Sequence, residues 1–228
     1  MAELNFNINI IYEDNHLLVV EKPCNVLMQS DETNDDDLLS ILKRYLVTKY
    51  NKPGDAFLGM VHRLDRPVGG VVVFAKTSKA ASRLSNQIRL NKMEKTYLAV
   101  VLGDVEQEKA TLKDYLYIDN KSNTVKVVEP LHEEAKLATL KYELLEHKQN
   151  LSLLKIDLIT GRSHQIRVQF ASRNNPLWGD QRYNPQALIK QQIALWAYQL
   201  SFFHPISNQR LTFTSKPNDR YPFNQFNI

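Results

Sequence analysis

Asp65 stands in the segment HRLDRPVGGVVVFAKT, residues 62–77, with an arginine on either side and two glycines and an apolar run just after it. A carboxylate so placed lies at the start of a buried-looking strand, where sites are often built. Arg63 and Arg66 favour its ionised form, because opposite charges nearby lower a carboxyl pKa. An ionised aspartate can act as a nucleophile or as a general base. The bare His-x-x-Asp pattern of His62 to Asp65 also describes a surface ion pair, so any chemistry needs partners from elsewhere in the chain.

Two further segments offer them. LITGRSHQIRVQF, residues 158–170, ends a strand-like run at Gly161 and opens a helix-like one presenting Arg162, His164, Gln165 and Arg167. Helix amino ends and guanidinium groups suit phosphate or carboxylate partners, though a structural cap would look the same. KTYLAVVLG, residues 95–103, puts Tyr97 at the start of a strand beside Lys95. An exposed tyrosine next to positive charge can stack on a nucleobase. His62 and His164 invite a metal, but no third and fourth ligand stands at suitable spacing, so no metal is expected.

The elements that must hold these residues are mostly strands. Runs rich in Val, Ile and Leu span residues 17–20, 71–75, 97–102, 137–145, 151–159, 193–203 and 210–214, strand-like in length and β-branched content. Short polar links at 148–150 and 204–208 predict two hairpins and antiparallel pairing. Helices are expected over 78–91, capped by Thr77 or Ser78 with Ala81, Leu84 and Ile88 as its apolar stripe, over 38–50, and from about Ser163, where Ile166 and Phe170 share a face and Arg167 points elsewhere. Trp178 and Trp196 read as core. Strand-rich stretches with interspersed helices favour an α+β fold over a doubly wound parallel sheet.

Composition bounds the rest. The chain has 228 residues, 43% hydrophobic and 24% charged, enough to bury a sizeable core, with one domain the default and two packed lobes the alternative. A net charge of +4 proves no partner by itself. Its distribution says more: residues 60–95 hold Arg63, Arg66, Lys76, Lys79, Arg83, Arg89, Lys92 and Lys95 against only Asp65 and Glu94. The acids gather elsewhere, as at Asp31, Glu32, Asp35, Asp36 and Asp37, a segregation suited to one face meeting a polyanion. Cys24 is the only cysteine, which excludes an intramolecular disulfide and a cysteine zinc cage and suggests a reducing compartment. The start MAELNFNINI lacks the features of a signal peptide and no apolar run can span a bilayer, so a cytoplasmic protein without membrane attachment is expected.

Taken together and in order, these segments resemble the RluA-type pseudouridine synthases. The similarity covers nearly the whole chain: IIYEDNHLLVVEKP, HRLD, FAKT, KTYLAVVLG, TGRSHQIRVQF, PLWGDQRY, LSFFHP and FTSKP. The pairing of HRLD with TGRSHQIR is specific. The resemblance implies a single catalytic domain over residues 1–228, an α+β fold with a mixed, largely antiparallel sheet, flanking helices and a central RNA-binding cleft. It also implies isomerisation of uridines in ribosomal or transfer RNA without a cofactor, by a monomer. Asp65 matches the catalytic aspartate, Tyr97 the tyrosine that packs on the target base, Arg167 the arginine that pairs with the aspartate, and Arg63 a residue that occupies the space of a flipped-out nucleotide. His62, Lys95, Arg162, His164 and Gln165 would contact the RNA.

Some positions depart from the family pattern. Val68 and Gly69 replace a Thr-Ser pair, Cys24 and Asn25 an Ala-Gly pair, and Trp196 a histidine. These changes remove hydroxyls but leave the carboxylate, the tyrosine and the arginine. The pattern begins almost at once, so the small RNA-binding domain that often precedes it is expected to be absent. A non-catalytic RNA-binding protein would have no use for Asp65, and a hydrolase built on His62 and Asp65 would lack a nucleophile or metal.

Overall fold

The computed structural model describes residues 8–31, 35–119, 124–217 and 219–228. The expected acidic cluster therefore falls partly outside the described residues, at Glu32, as does most of the opening segment. The chain divides into two compact units, residues 1–93 with 199–215, and residues 94–198 with 216–228. The elements are those of an α+β protein, as the sequence predicts.

In the first unit, β1 (Asn9–Glu13), β2 (Leu17–Lys22) and β4 (Gly69–Ala75) lie side by side. β2 and β4 are antiparallel, with Leu17 opposite Ala75 and Lys22 opposite Gly70, and a short β3 (Gly59–Met60) adds to β4. Their nearly unbroken apolar runs follow from burial on both faces. Leu17, Val19, Val71 and Val73 pack with Ala80 and Leu84 of α2 (Ser78–Arg89) in one core cluster. Thr77 caps α2 by accepting from Ala80 N, as expected, and Asp37 caps α1 (Leu38–Lys49) by accepting from Ser40 N. Such caps satisfy amides that have no partner within the helix.

In the second unit the sheet order is β5 (Glu94–Leu102), β9 (Leu151–Leu158), β8 (Lys136–Lys148), β6 (Lys109–Asp119) and β7 (Thr124–Val128). The neighbours pair antiparallel. The β8–β9 hairpin turns where predicted, with Gln149 at φ 55°. One face of this sheet carries α3 (Gln165–Ala171): Val168 packs with Leu116, Val125 and Ala138, and Phe170 meets Tyr142 edge-on with 5.4 Å between ring centroids. β10 (Leu195–Phe203) runs from this unit into the first, where its last residues pair with β11 (Arg210–Thr214) in the second expected hairpin. Trp196 is buried, as expected, while Trp178 is half-buried against Tyr221.

The apolar runs miss β1, the two-residue β3, β6 and β7. In β6 only Leu112 and Leu116 are buried, because the strand has one face under α3 and the other in water. Alternation diluted by charge is a weaker signal than a continuous run.

Candidate active site

Asp65 is half-buried on the loop leading into β4, between buried Leu64 and exposed Arg66. That loop is held from beneath by Lys22, the last residue of β2, which is 0% exposed. Its ammonium donates to three backbone carbonyls: Val68 at 2.7 Å, Arg66 at 2.9 Å and Pro23 at 3.0 Å. Burial pulls the Lys22 pKa down to about 8, against the charges of Cys24 and Asp65, which favour the ammonium, and with that of Arg66, which opposes it. A buried cation saturated by the carbonyl next to it in sequence and by two carbonyls just after the candidate carboxylate fixes the path of that loop. Val68 N also donates to Asp65 O at 3.0 Å, closing a turn.

The neighbouring candidates have structural attachments of their own. His62 Nε2 accepts from Val73 N at 3.1 Å, so this ring continues the hydrogen bonding of β4. Arg66 extends away to Asp35 at 2.6 Å and to Asn25 O at 3.3 Å, an exposed pair of the kind that contributes little to stability. Arg63 is exposed.

Lys22→Met should therefore destabilise the protein by about 1–3 kcal/mol, the cost of buried carbonyls losing their donor. It should also lower turnover more than RNA affinity. The pH dependence has a definite sign. A buried lysine with a lowered pKa opposes folding while charged, so this group's penalty lifts as pH rises from about 8 toward 10.5. Thermal unfolding across that range should show wild type gaining on Lys22→Met; parallel curves would remove Lys22 from this role.

The remaining candidates belong to the second unit. Tyr97 is on β5 and only 7% exposed, which corrects the expectation of a freely exposed ring. Lys95, two residues earlier on the same strand, lies against Gly161, where a side-chain carbon would stand 3.3 Å from Nζ. Burial lowers its pKa. The Thr160–Gly161–Arg162 turn is braced by Gln165, whose Oε1 accepts from Thr160 Oγ1 at 2.8 Å and Arg162 N at 3.1 Å. Gln165 is thus buried beneath the turn rather than presented to solvent, because the turn's own donors need its oxygen. Arg162 is exposed, and its Nε reaches Leu137 O at 3.0 Å.

His164 occupies the position before α3 in a left-handed conformation, φ 51°. Its Nδ1 lies 2.8 Å from Tyr183 Oη, which accepts from Val125 N at 2.9 Å. Arg167 is buried, and it makes a two-pronged pair with Asp180: Nε to Oδ2 at 2.8 Å and Nη2 to Oδ1 at 2.7 Å. The same carboxylate accepts from Arg182 N and Tyr183 N. The Arg167 guanidinium also lies 5.2 Å from the Tyr183 ring centre, a favourable cation–π arrangement.

Lys22, Asp180 and Tyr183 are the residues that sequence reasoning left without roles. Two of them left a signal: Lys22 closes the strand-like run of Leu17 to Val20 after Glu21, and Asp180 is the last acid before Asp219. Among the described residues no group of His, Cys, Asp and Glu could hold a metal ion, and no helix is long and apolar enough to cross a membrane.

Comparison with known proteins gives these sites a common frame. An RNA pseudouridine synthase of Aquifex aeolicus is 35% identical over 224 residues, covering 92% of this chain and 69% of that protein. The dual-specificity RNA pseudouridine synthase RluA of Haemophilus ducreyi is 31% identical over 223 residues, covering 94% and 95%. The RNA pseudouridine synthase YhcT of Bacillus subtilis is 32% identical over 203 residues, covering 89% of this chain and 66% of that protein. Human RNA pseudouridylate synthase domain containing 1 shares the fold, with a TM-score of 0.76 at 22% identity over 96% of this chain and 86% of that one. The family pattern described as RNA pseudouridylate synthase matches residues 16–172, a stretch that contains Lys22, Asp65, Tyr97 and Arg167. The chain belongs to the RNA pseudouridylate synthase family.

Proposed function

We propose that this protein isomerises specific uridines in RNA to pseudouridine, with Asp65 as the catalytic carboxylate. The observation that carries the reading is the family match across Asp65, Tyr97 and Arg167, joined to the buried Lys22 clamp beneath the Asp65 loop. The reaction breaks the C1′–N1 bond, turns the uracil and forms C1′–C5; N1 gains a proton and the C5 proton leaves to solvent. No electrons or groups enter from outside, so the proposed chemistry calls for no cofactor.

Asp65 attacks C1′ or removes the C2′ proton, and either role needs it ionised. Tyr97 packs on the extruded base; stacking returns about 1–3 kcal/mol against the few kcal/mol that extrusion costs. Arg167 supplies positive charge for the carboxylate chemistry. Arg63, His62, Lys95, Arg162, His164 and Gln165 contact the RNA or shape the loops that do. Relatives named for dual specificity and for the large ribosomal subunit support ribosomal or transfer RNA as the target. We further propose that the enzyme acts as a monomer in the cytoplasm.

Release of the uridine C5 hydrogen from labelled RNA tests the activity. The purified protein should release it stoichiometrically with pseudouridine. RNA that is bound without any release would favour a non-catalytic binding protein.

A further inference from the structure

Leu188 and Ile189 are 71% and 89% exposed, although the loop that carries them is tightly ordered. Leu188 N donates to Gln191 Oε1 at 2.9 Å, Gln191 N donates to Leu188 O at 3.0 Å, and Gln181 Nε2 donates to Gln191 O at 2.9 Å. Ile189 and Lys190 occupy the corners of this turn, Lys190 at φ 66°, where Gly, Asn, Asp or Pro would be the ordinary choices. The base of the loop is equally fixed. Gly179 has φ 72°, and any side-chain carbon there would come within 2.4 Å of Gln192 O. Asp180, which pairs with Arg167, accepts the first amides of the loop.

Two adjacent aliphatic side chains exposed at the tip of a hydrogen-bonded turn contribute nothing to the core and are open to a partner. The composition around them selects one. Between Gln181 and Gln192 the loop has no Asp or Glu, whereas Arg182 and Lys190 lie on either side of the tip in sequence and Gln181, Gln186, Gln191 and Gln192 supply amides. A basic, carboxylate-free loop complements a polyanion. Apolar tips of this kind open nucleic-acid stacks by entering between neighbouring bases.

We propose that Leu188 and Ile189 form a wedge that enters the RNA stack beside the target uridine and helps hold the target out. This inference rests on the reading of the chain as an RNA-modifying enzyme. The wedge lowers the cost of extrusion, which a paired and stacked uridine requires and an unpaired one does not.

Two measurements test it. In an Ile189→Trp variant, indole emission should be quenched on adding a uridine-rich RNA hairpin, because the ring stacks on bases; emission unchanged at saturating RNA would overturn the wedge even if the enzyme proves active. Leu188→Ser with Ile189→Ser alters only exposed atoms and should leave stability unchanged. Its single-turnover rate should fall about tenfold or more on folded cellular RNA and little on the same RNA unfolded into single strands. Equal rates, or an equal loss on both forms, would overturn the proposal. So would indole quenching that depends on protein concentration without RNA, which would assign the tip to a second copy of the chain. Absence of pseudouridine formation by wild type would instead refute the enzymatic reading, while the indole measurement would still report on the wedge.

Discussion

Asp65→Asn is expected to abolish pseudouridine formation while leaving RNA binding intact or tighter. The substitution preserves the shape of the side chain and removes its charge, its nucleophilicity and its basicity together. The loss should reach about a thousandfold or more, since a positioned base alone contributes about 10² to 10⁴ and a nucleophile is indispensable to a covalent route. Binding should persist because Lys22, which holds the loop by its carbonyls, is untouched, and one negative charge fewer favours a polyanion. Single-turnover rates with binding measured in parallel decide it. Substantial turnover by Asp65→Asn would remove this carboxylate from the chemistry, and lost binding would make it a contact residue.

The second large effect concerns Arg167. Arg167→Met strips the two-pronged partner from Asp180, whose side chain is fully buried. Breaking a buried pair in this way costs about 3–5 kcal/mol, a fall that urea unfolding would register directly. Turnover should fall with it, which alone would not separate chemistry from structure. Arg167→Met combined with Asp180→Leu separates them. That variant removes the buried Asp180 carboxylate together with its partner, so part of the stability returns, although the amides of Arg182 and Tyr183 lose their acceptor. Turnover should nevertheless stay about a hundredfold down if the Arg167 charge serves the reaction. Recovery of the rate along with stability would make Arg167 a positioning residue for the Asp180 loop. Groups acting as a unit are not additive, so Asp65→Asn with Arg167→Met should be no slower than Asp65→Asn alone.

Both predictions turn on contacts of different legibility. The strands and helices with continuous apolar runs or clear caps were readable: Thr77 ahead of α2, and the hairpins at 148–150 and 204–208. Asp65 and its motif were readable because charged residues just before a buried strand stand out locally. Arg167 was readable as a candidate, but not its bond to Asp180, which lies thirteen residues on and depends on how α3 seats on its sheet. Lys22 followed the same rule. Its neighbours Pro23, Arg66 and Val68 come together only when β2 pairs with β4, so its role as a clamp belongs to tertiary structure. Tyr97 read as an exposed stacking ring and is largely buried, since a strand residue's exposure is set by what covers its face. Arg83 counts among the basic residues of 60–95 that suit a polyanion, and its guanidinium donates to Pro205 O at 2.6 Å, a contact that local sequence could not show.

The central claim is that this chain converts particular uridines through Asp65. It is tested most directly by mapping pseudouridine at nucleotide resolution in ribosomal and transfer RNA from cells lacking the protein, before and after treatment with purified wild type or Asp65→Asn. The account predicts that one or a few uridines, unmodified in those cells, become pseudouridine with wild type and stay uridine with Asp65→Asn. No position restored by wild type, or the same positions restored by Asp65→Asn, would contradict it.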